Sequence, residues 1–155
     1  MRRSALWLAA SLIATAPAAS WETVVDDSRG QRSVEMYGYA DAAKTHGMSF
    51  VCIPSDRGAD SVAIVAIPST DDFTLRPGAH VAVRFGEAEF DAEIMTNDSS
   101  AATAVVEGQA LDGLFAEIER TEALPVSIVG LGQSIEIPNV SWDESHGQFA
   151  QACGT

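Results

Sequence analysis

The sequence predicts an α+β domain, mainly antiparallel β as a sandwich or curled sheet, with one mid-chain helix and a short C-terminal helix. Three observations predict it. Between Ser33 and Val106 apolar side chains recur with period two, bounded by polar and glycine-rich turns. At Leu111, Leu114, Phe115 and Ile118 the period becomes i, i+3, i+4, i+7, one apolar stripe on a helix. After a second period-two hairpin, Trp142, Phe149 and Cys153 return to helical spacing. Runs of strands before a helix, in place of repeated βαβ units, favour an antiparallel sheet with helices packed at one side.

The chain opens as an export signal. Arg2 and Arg3 precede an apolar run from Ala5 to Ala16, followed by the small residues Ala18-Ala19-Ser20 and then Trp21. That is the order of a secretory signal peptide, and the run is shorter than the ~20 residues a membrane-spanning helix needs. Residues 1–20 are therefore expected to be removed, by cleavage after Ala18 or after Ser20. The remainder, 21–155, is one domain of about 135 residues, enough for a single core. No later segment is apolar for long enough to cross a bilayer, so no membrane insertion is expected.

Trp21 to Val25 reads as an extended entry, and Asp26 to Gln31 as a loop. Ser33 to Tyr39 reads as a strand with Val34, Met36 and Tyr39 as its apolar members, followed by a loop from Asp41 to Gly47. Met48 to Ile53 is a β-rich run carrying Cys52, closed by Pro54. Ser61 to Ile67, made of valine, isoleucine and alanine, reads as a central strand buried on both faces. Pro68 to Gly78 is a loop. Ala79 to Phe85 and Ala88 to Met95 form the clearest hairpin, turning at Gly86. Val81, Val83 and Phe85 share one face, and His80, Ala82 and Arg84 the other. Ala101 to Val106 is a further strand, after a turn from Asn97 to Ser100.

The helix over Leu111 to Ile118 follows. Beyond Leu124-Pro125, Val126 to Val129 and Gln133 to Ile137 form a second hairpin around Gly130-Leu131-Gly132. Pro138 stops it. Ser141 and Glu144 match a capping box at the start of the closing helix. Gly147 weakens that helix by about 1 kcal/mol, which would let it begin only there.

Only two cysteines are present, Cys52 and Cys153. In an exported domain they are expected to pair, because no Cys-x-x-Cys occurs and zinc would need two further ligands. Such a disulfide would staple the last helix to an early strand.

The formal net charge is −13, and losing Arg2 and Arg3 makes the exported form two units more negative. Such a chain repels phosphate backbones, so no nucleic-acid partner is expected; a protein or cationic peptide fits its charge. Lys44 is the sole lysine and alanine is abundant, as in GC-rich bacterial genomes, which makes the expected compartment the periplasm or the exterior.

No G-x-S-x-G, H-E-x-x-H or P-loop pattern occurs, and the Gly130-Leu131-Gly132 pair lacks the rest of a dinucleotide fingerprint. No cofactor or catalytic residue is assigned. The most unusual polar feature is Glu87, Glu89, Asp91 and Glu93, four carboxylates on one strand face about 7 Å apart. They are a candidate face for a hard cation or a basic partner, with Arg84 and Arg76 as alternative neutralising groups. The histidines, His46, His80 and His146, show no ligand spacing; a hydrolase would need one of them to meet a nucleophile. The sequons at Asn97 and Asn139 carry no meaning in a bacterial chain.

The layout also resembles a known group. Phe50-Val51-Cys52, Leu75-Arg76-Pro77-Gly78, Val81 to Phe85, the helix of Leu111 to Ile118 and the terminal Cys153 follow one another in this order. In that order the chain is similar to small periplasmic proteins of proteobacteria, the invasion-associated locus B-like proteins and the accessory proteins of type VI secretion loci. The resemblance implies a non-enzymatic envelope binding or accessory module. A cation-binding protein and a small secreted hydrolase are the alternatives.

Overall fold

Strand alternation builds one sheet with a dry side and an open side. The computed structural model describes residues 20–28, 30, 32–55, 58–68, 76–97, 101–107 and 111–154. Residues 1–19 of the expected export signal, Leu75 and positions 98–100 lie outside them. The strands are β1 (Trp21–Asp26), β2 (Ser33–Tyr39), β3 (Gly47–Ser55), β4 (Gly58–Pro68), β5 (His80–Phe85), β6 (Ala88–Asn97), β7 (Ala101–Glu107), β8 (Ala123–Ile128) and β9 (Ser134–Pro138). Helix α1 (Leu111–Glu119) precedes β8, and α2 (Trp142–Cys153) closes the described chain.

All nine strands join a single sheet in the order β1-β2-β3-β4-β7-β6-β5-β8-β9, every pairing antiparallel. The sheet curls until β9 returns against β2, β3 and β4, but it does not close. The fold is thus α+β, and of the two expected forms it is the curled sheet.

Register puts one residue type on the inner face throughout. Met36 stands opposite Phe50, Phe50 opposite Ala63 and Ala63 opposite Val106. Beyond them Ala104 pairs Ile94, Ala92 pairs Val81, and Val83 pairs Ile128. These residues are buried, and both helices cover this face. Helix α1 contributes Leu111, Leu114 and Ile118; α2 contributes Trp142, Phe149 and Cys153. Phe50 lies at the meeting point, with Trp21, Phe115, Trp142 and Phe149 around it at centroid distances of 4.8 to 6.4 Å. His146 packs there too, stacked on Trp142 at 4.9 Å.

The expected disulfide is present: Cys52 on β3 bonds Cys153 at the end of α2, with Cα atoms 6.2 Å apart and a sequence separation of 101. It ties α2 to the inner face of the sheet.

Several expectations are corrected. Strand β2 turns Gly38, not Tyr39, to the core; Tyr39 falls out of phase with Val34 and Met36 and faces outward beside Tyr37. Strand β4 is buried on one face only, because the helices and β9 all lie on the inner side, and Val62, Ile64 and Ala66 remain half-buried. Strand β8 begins at Ala123 and contains Pro125. The Pro125 carbonyl accepts from Gly86 N–H at 2.9 Å, so its ring nitrogen also faces the β5 side, beyond the end of that ladder, where no N–H is needed.

The capping box does not form. Ser141 is left-handed (φ 66°), and no N–H of the helix start donates to its hydroxyl, because the chain turns there directly after the Val140 carbonyl accepts Trp21 N–H at 3.2 Å. Helix α2 nonetheless starts at Trp142, with Gly147 on its exposed side. Burial of Trp142, Phe149 and Cys153 outweighs the glycine's cost of about 1 kcal/mol.

Candidate functional site: the open face of the sheet

With both helices on the inner side, the outer side chains of β2, β3, β4, β7 and β6 form the candidate site. Cross-strand register arranges them in rows. One row runs Glu35, Val51, Val62, Glu107; the next runs Tyr37, Ser49, Ile64, Val105, Glu93, His80. Val51, Val62, Ile64 and Val105 thus make an apolar tile at the middle of the sheet, framed by Glu35, Glu107 and Glu93. Each of the four is half-buried by its neighbours. β-branched side chains are what a pleated surface packs well, so the tile follows directly from sequence.

Two grooves flank the Ile64–Val105 pair. The larger, of about 490 Å³, is lined by Val105, Met95, His80, Asp91, Glu93 and Glu107. The smaller, of about 240 Å³, runs between Ile64, Ala66, Tyr37, Tyr39 and His46. Met95, in the larger groove, is half exposed.

Of the four carboxylates expected on one strand face, Glu89, Asp91 and Glu93 lie on the outer face of β6, whereas Glu87 precedes that strand. Arg84 Nε donates to Glu89 at 3.1 Å, and His80 Nδ1 lies 3.0 Å from Asp91. His80, not Arg76, therefore partners Asp91. Glu87 lies in the turn, and Glu93 lines the larger groove. Among the described residues no three His, Cys, Asp or Glu side chains converge to hold a metal ion. Within the β5–β6 ladder Glu89, Asp91 and Glu93 stand opposite Arg84, Ala82 and His80.

A polar cluster borders the smaller groove, and sequence reading missed it. Lys44, left-handed at φ 57°, places its Nζ 2.9 Å from both Glu22 oxygens and 4.6 Å from the centre of the Tyr39 ring. The Tyr39 hydroxyl donates to Glu22 at 3.0 Å, and the ring lies parallel to Tyr37. The Lys44 hydrogen bonds hold Glu22 below the usual carboxylate range, whereas burial and the bond to Glu22 push the Tyr39 phenol up to about 12. In the adjoining loop Asp41 accepts from the Thr45 amide and hydroxyl and from the His46 amide, which lowers its carboxyl to about 2. The available signal was the residue order D-x-x-x-T-H, an Asp whose side chain can turn back onto following amides.

Among the described residues this loop also holds the nearest approach to catalytic geometry. His46 Nδ1 lies 3.2 Å from Asp41 and 3.0 Å from the Thr45 hydroxyl. A triad needs the orienting acid and the nucleophile on opposite ring nitrogens; here both meet the same one, and the Thr45 hydroxyl donates to Asp41. His46 therefore cannot accept the Thr45 proton while Asp41 orients it. His80 meets Asp91 on an exposed face, and His146 is packed between Phe115 and Trp142, 3.8 Å from Glu119.

Asn139, noticed in sequence only as part of a sequon, is structural. Its Nδ2 donates to the Ile118 carbonyl at 2.9 Å and the Thr121 carbonyl at 3.0 Å, closing the end of α1. No helix among the described residues is long and apolar enough to cross a membrane. No family model matches the chain, and no curated protein or solved structure is significantly similar to it.

Proposed function

We propose that this is an exported accessory module of the bacterial envelope, non-enzymatic, whose sheet face docks a cationic, amphipathic segment of a partner protein. One observation carries the reading: the apolar tile of Val51, Val62, Ile64 and Val105 lies within a frame of carboxylates. Apolar surface supplies the non-directional attraction. The carboxylates, on a chain of net charge −13, select for lysine and arginine around it and repel anionic partners. The paired cysteines suit an oxidising compartment. The resemblance in sequence layout to small proteobacterial periplasmic accessory proteins supports the same role.

The test uses a defined amphipathic peptide of leucine and lysine, titrated against the oxidised protein, its Ile64→Asp variant and its Glu93→Gln/Glu107→Gln variant. Wild-type protein should bind, more weakly as salt rises. Ile64→Asp should lose at least about tenfold in affinity, close to 1.4 kcal/mol, at unchanged near-ultraviolet circular dichroism. That variant separates docking from charge attraction, since an added carboxylate would strengthen the latter. Equal or tighter binding by Ile64→Asp, or no binding by the wild type, overturns the reading.

A further inference from the structure

We infer that the exported chain begins at Ala19, by cleavage of the Ala18–Ala19 bond, and keeps Ser20 as the first residue of the folded domain. The inference rests on the export reading and selects between two bonds that the sequence leaves equal. Ala16 and Ala18 satisfy the small-residue requirement for the first bond, and Ala18 and Ser20 satisfy it for the second.

The fold distinguishes them. Ser20 is already part of the β1–β2 ladder: its carbonyl accepts the Tyr39 N–H at 2.9 Å, one step beyond the Trp21–Gly38 pair. Ser20 is buried, and Trp21 after it is 1% exposed, held between Phe50 and Trp142. The Trp21 N–H, as a neutral amide, donates to Val140.

Cutting after Ser20 would remove the acceptor of Tyr39 N–H. It would also convert the Trp21 amide into an ammonium, with an ordinary pKa of about 7.7–8.0, at the most buried position of β1. That places a charge beside an enclosed aromatic ring, where the uncut chain has a neutral amide. Cutting after Ala18 leaves the ammonium two residues upstream and the Ser20–Trp21 peptide bond intact. The next residue in each case agrees with this: Ala19 is small, whereas Trp21 is a core side chain.

The experiment expresses the full chain with its own leader in a Gram-negative host and measures the intact mass of the oxidised protein released from the periplasm. The mass of a chain beginning at Ala19 is expected. A periplasmic product beginning at Trp21, or anywhere else, overturns the inference and leaves export standing. Uncleaved chain confined to the cytoplasm overturns the export reading and the cleavage with it. A second measurement compares melting of the periplasmic product with that of a chain made to begin at Trp21. The shorter chain should melt lower by at least about 3 °C; equal melting temperatures would remove the physical basis of the assignment.

Discussion

The indole of Trp21 lies across Gly38 on the neighbouring strand, so closely that a β-carbon at Gly38 would stand 2.6 to 2.7 Å from three of its ring atoms. This contact lets the first strand of the domain put a large ring into the core, where it meets Trp142 edge-on at 4.8 Å and Phe50 at 6.1 Å. The indole cannot retreat, because it is fully enclosed. Gly38→Ala should therefore destabilise the fold by about 1–3 kcal/mol, the usual cost of overpacking. Urea unfolding followed by tryptophan fluorescence measures it; an unchanged midpoint would show that β1 is free to shift.

The Cys52–Cys153 bond closes a loop of 101 residues in sequence separation. In the chain-entropy model a loop of that length stabilises by up to ~4.7 kcal/mol, by narrowing the unfolded ensemble. Alkylation without reductant should add no label to the native protein, and Cys52→Ala/Cys153→Ala should unfold at markedly lower urea. Because α2 also buries Trp142 and Phe149, its helical signal should persist in that variant below the new midpoint. Two labelled thiols in the native exported protein would contradict the pairing.

Where one physical signal dominated, the sequence was readable. Val81, Val83 and Phe85 against Glu89, Asp91 and Glu93 define the β5–β6 hairpin because only one face of it is wet. Gly130 and Gly132, at φ 92° and 71°, confirm the second hairpin, since positive φ is what such a turn requires. The pairing of two cysteines admitted one solution. Long-range packing was less readable. Gly38 could be seen as an inward position only once Trp21 was known to lie over it, so Tyr39 took its place in the expected pattern. Local rules also lost to tertiary contacts at Ser141, where the bond between Val140 and Trp21 set the backbone, and at Pro125, whose ring nitrogen fell beyond the β5 ladder. The open sheet face was half visible: its apolar residues and its acids were both noted, but their alternation in rows depends on register between strands distant in sequence.

The Glu22–Lys44–Tyr39 group makes stability fall in alkali. The Tyr39 phenol is raised from 10.0 to about 12, first by burial and then by its bond to Glu22. A folded-state pKa above the unfolded value contributes stability present below pH 10 and lost as pH rises toward about 12. Absorbance at 295 nm, taken as the difference between wild type and Tyr39→Phe, should show one phenol ionising near the upper value. Glu22→Gln should lower it only in part, since burial remains. At the acid end Asp41 has the opposite sign. Its folded value of about 2 lies below the ordinary 3.8, so its contribution is present above that and lost as pH falls through the interval. The stability gap between wild type and Asp41→Asn should close over the same range. Tyrosine ionisation near 10, or a gap independent of pH, would contradict these assignments.

Asn139 offers a sharper test of what holds the two halves of the inner layer together. Its amide gives two hydrogen bonds to carbonyls of Ile118 and Thr121, at the end of α1, and its own N–H donates to the Glu122 carbonyl at 2.8 Å. A helix leaves its last carbonyls without intrahelical partners, so this side chain helps close α1 from a position 21 residues beyond Ile118 in sequence. Asn139→Ala should cost about 1 kcal/mol, because the Ile118 carbonyl keeps the Thr121 N–H and hydroxyl while the Thr121 carbonyl loses the Asn139 amide. Asn139→Asp should be worse at neutral pH, because a carboxylate has no proton to donate and would face two carbonyls. Protonation restores one donor, so the Asp variant should approach the Ala variant as pH falls through the ordinary carboxyl range near 4. Urea midpoints for the three proteins across that range decide the matter. If Asn139→Asp is no weaker than Asn139→Ala at pH 7, the amide is not the group that closes the helix.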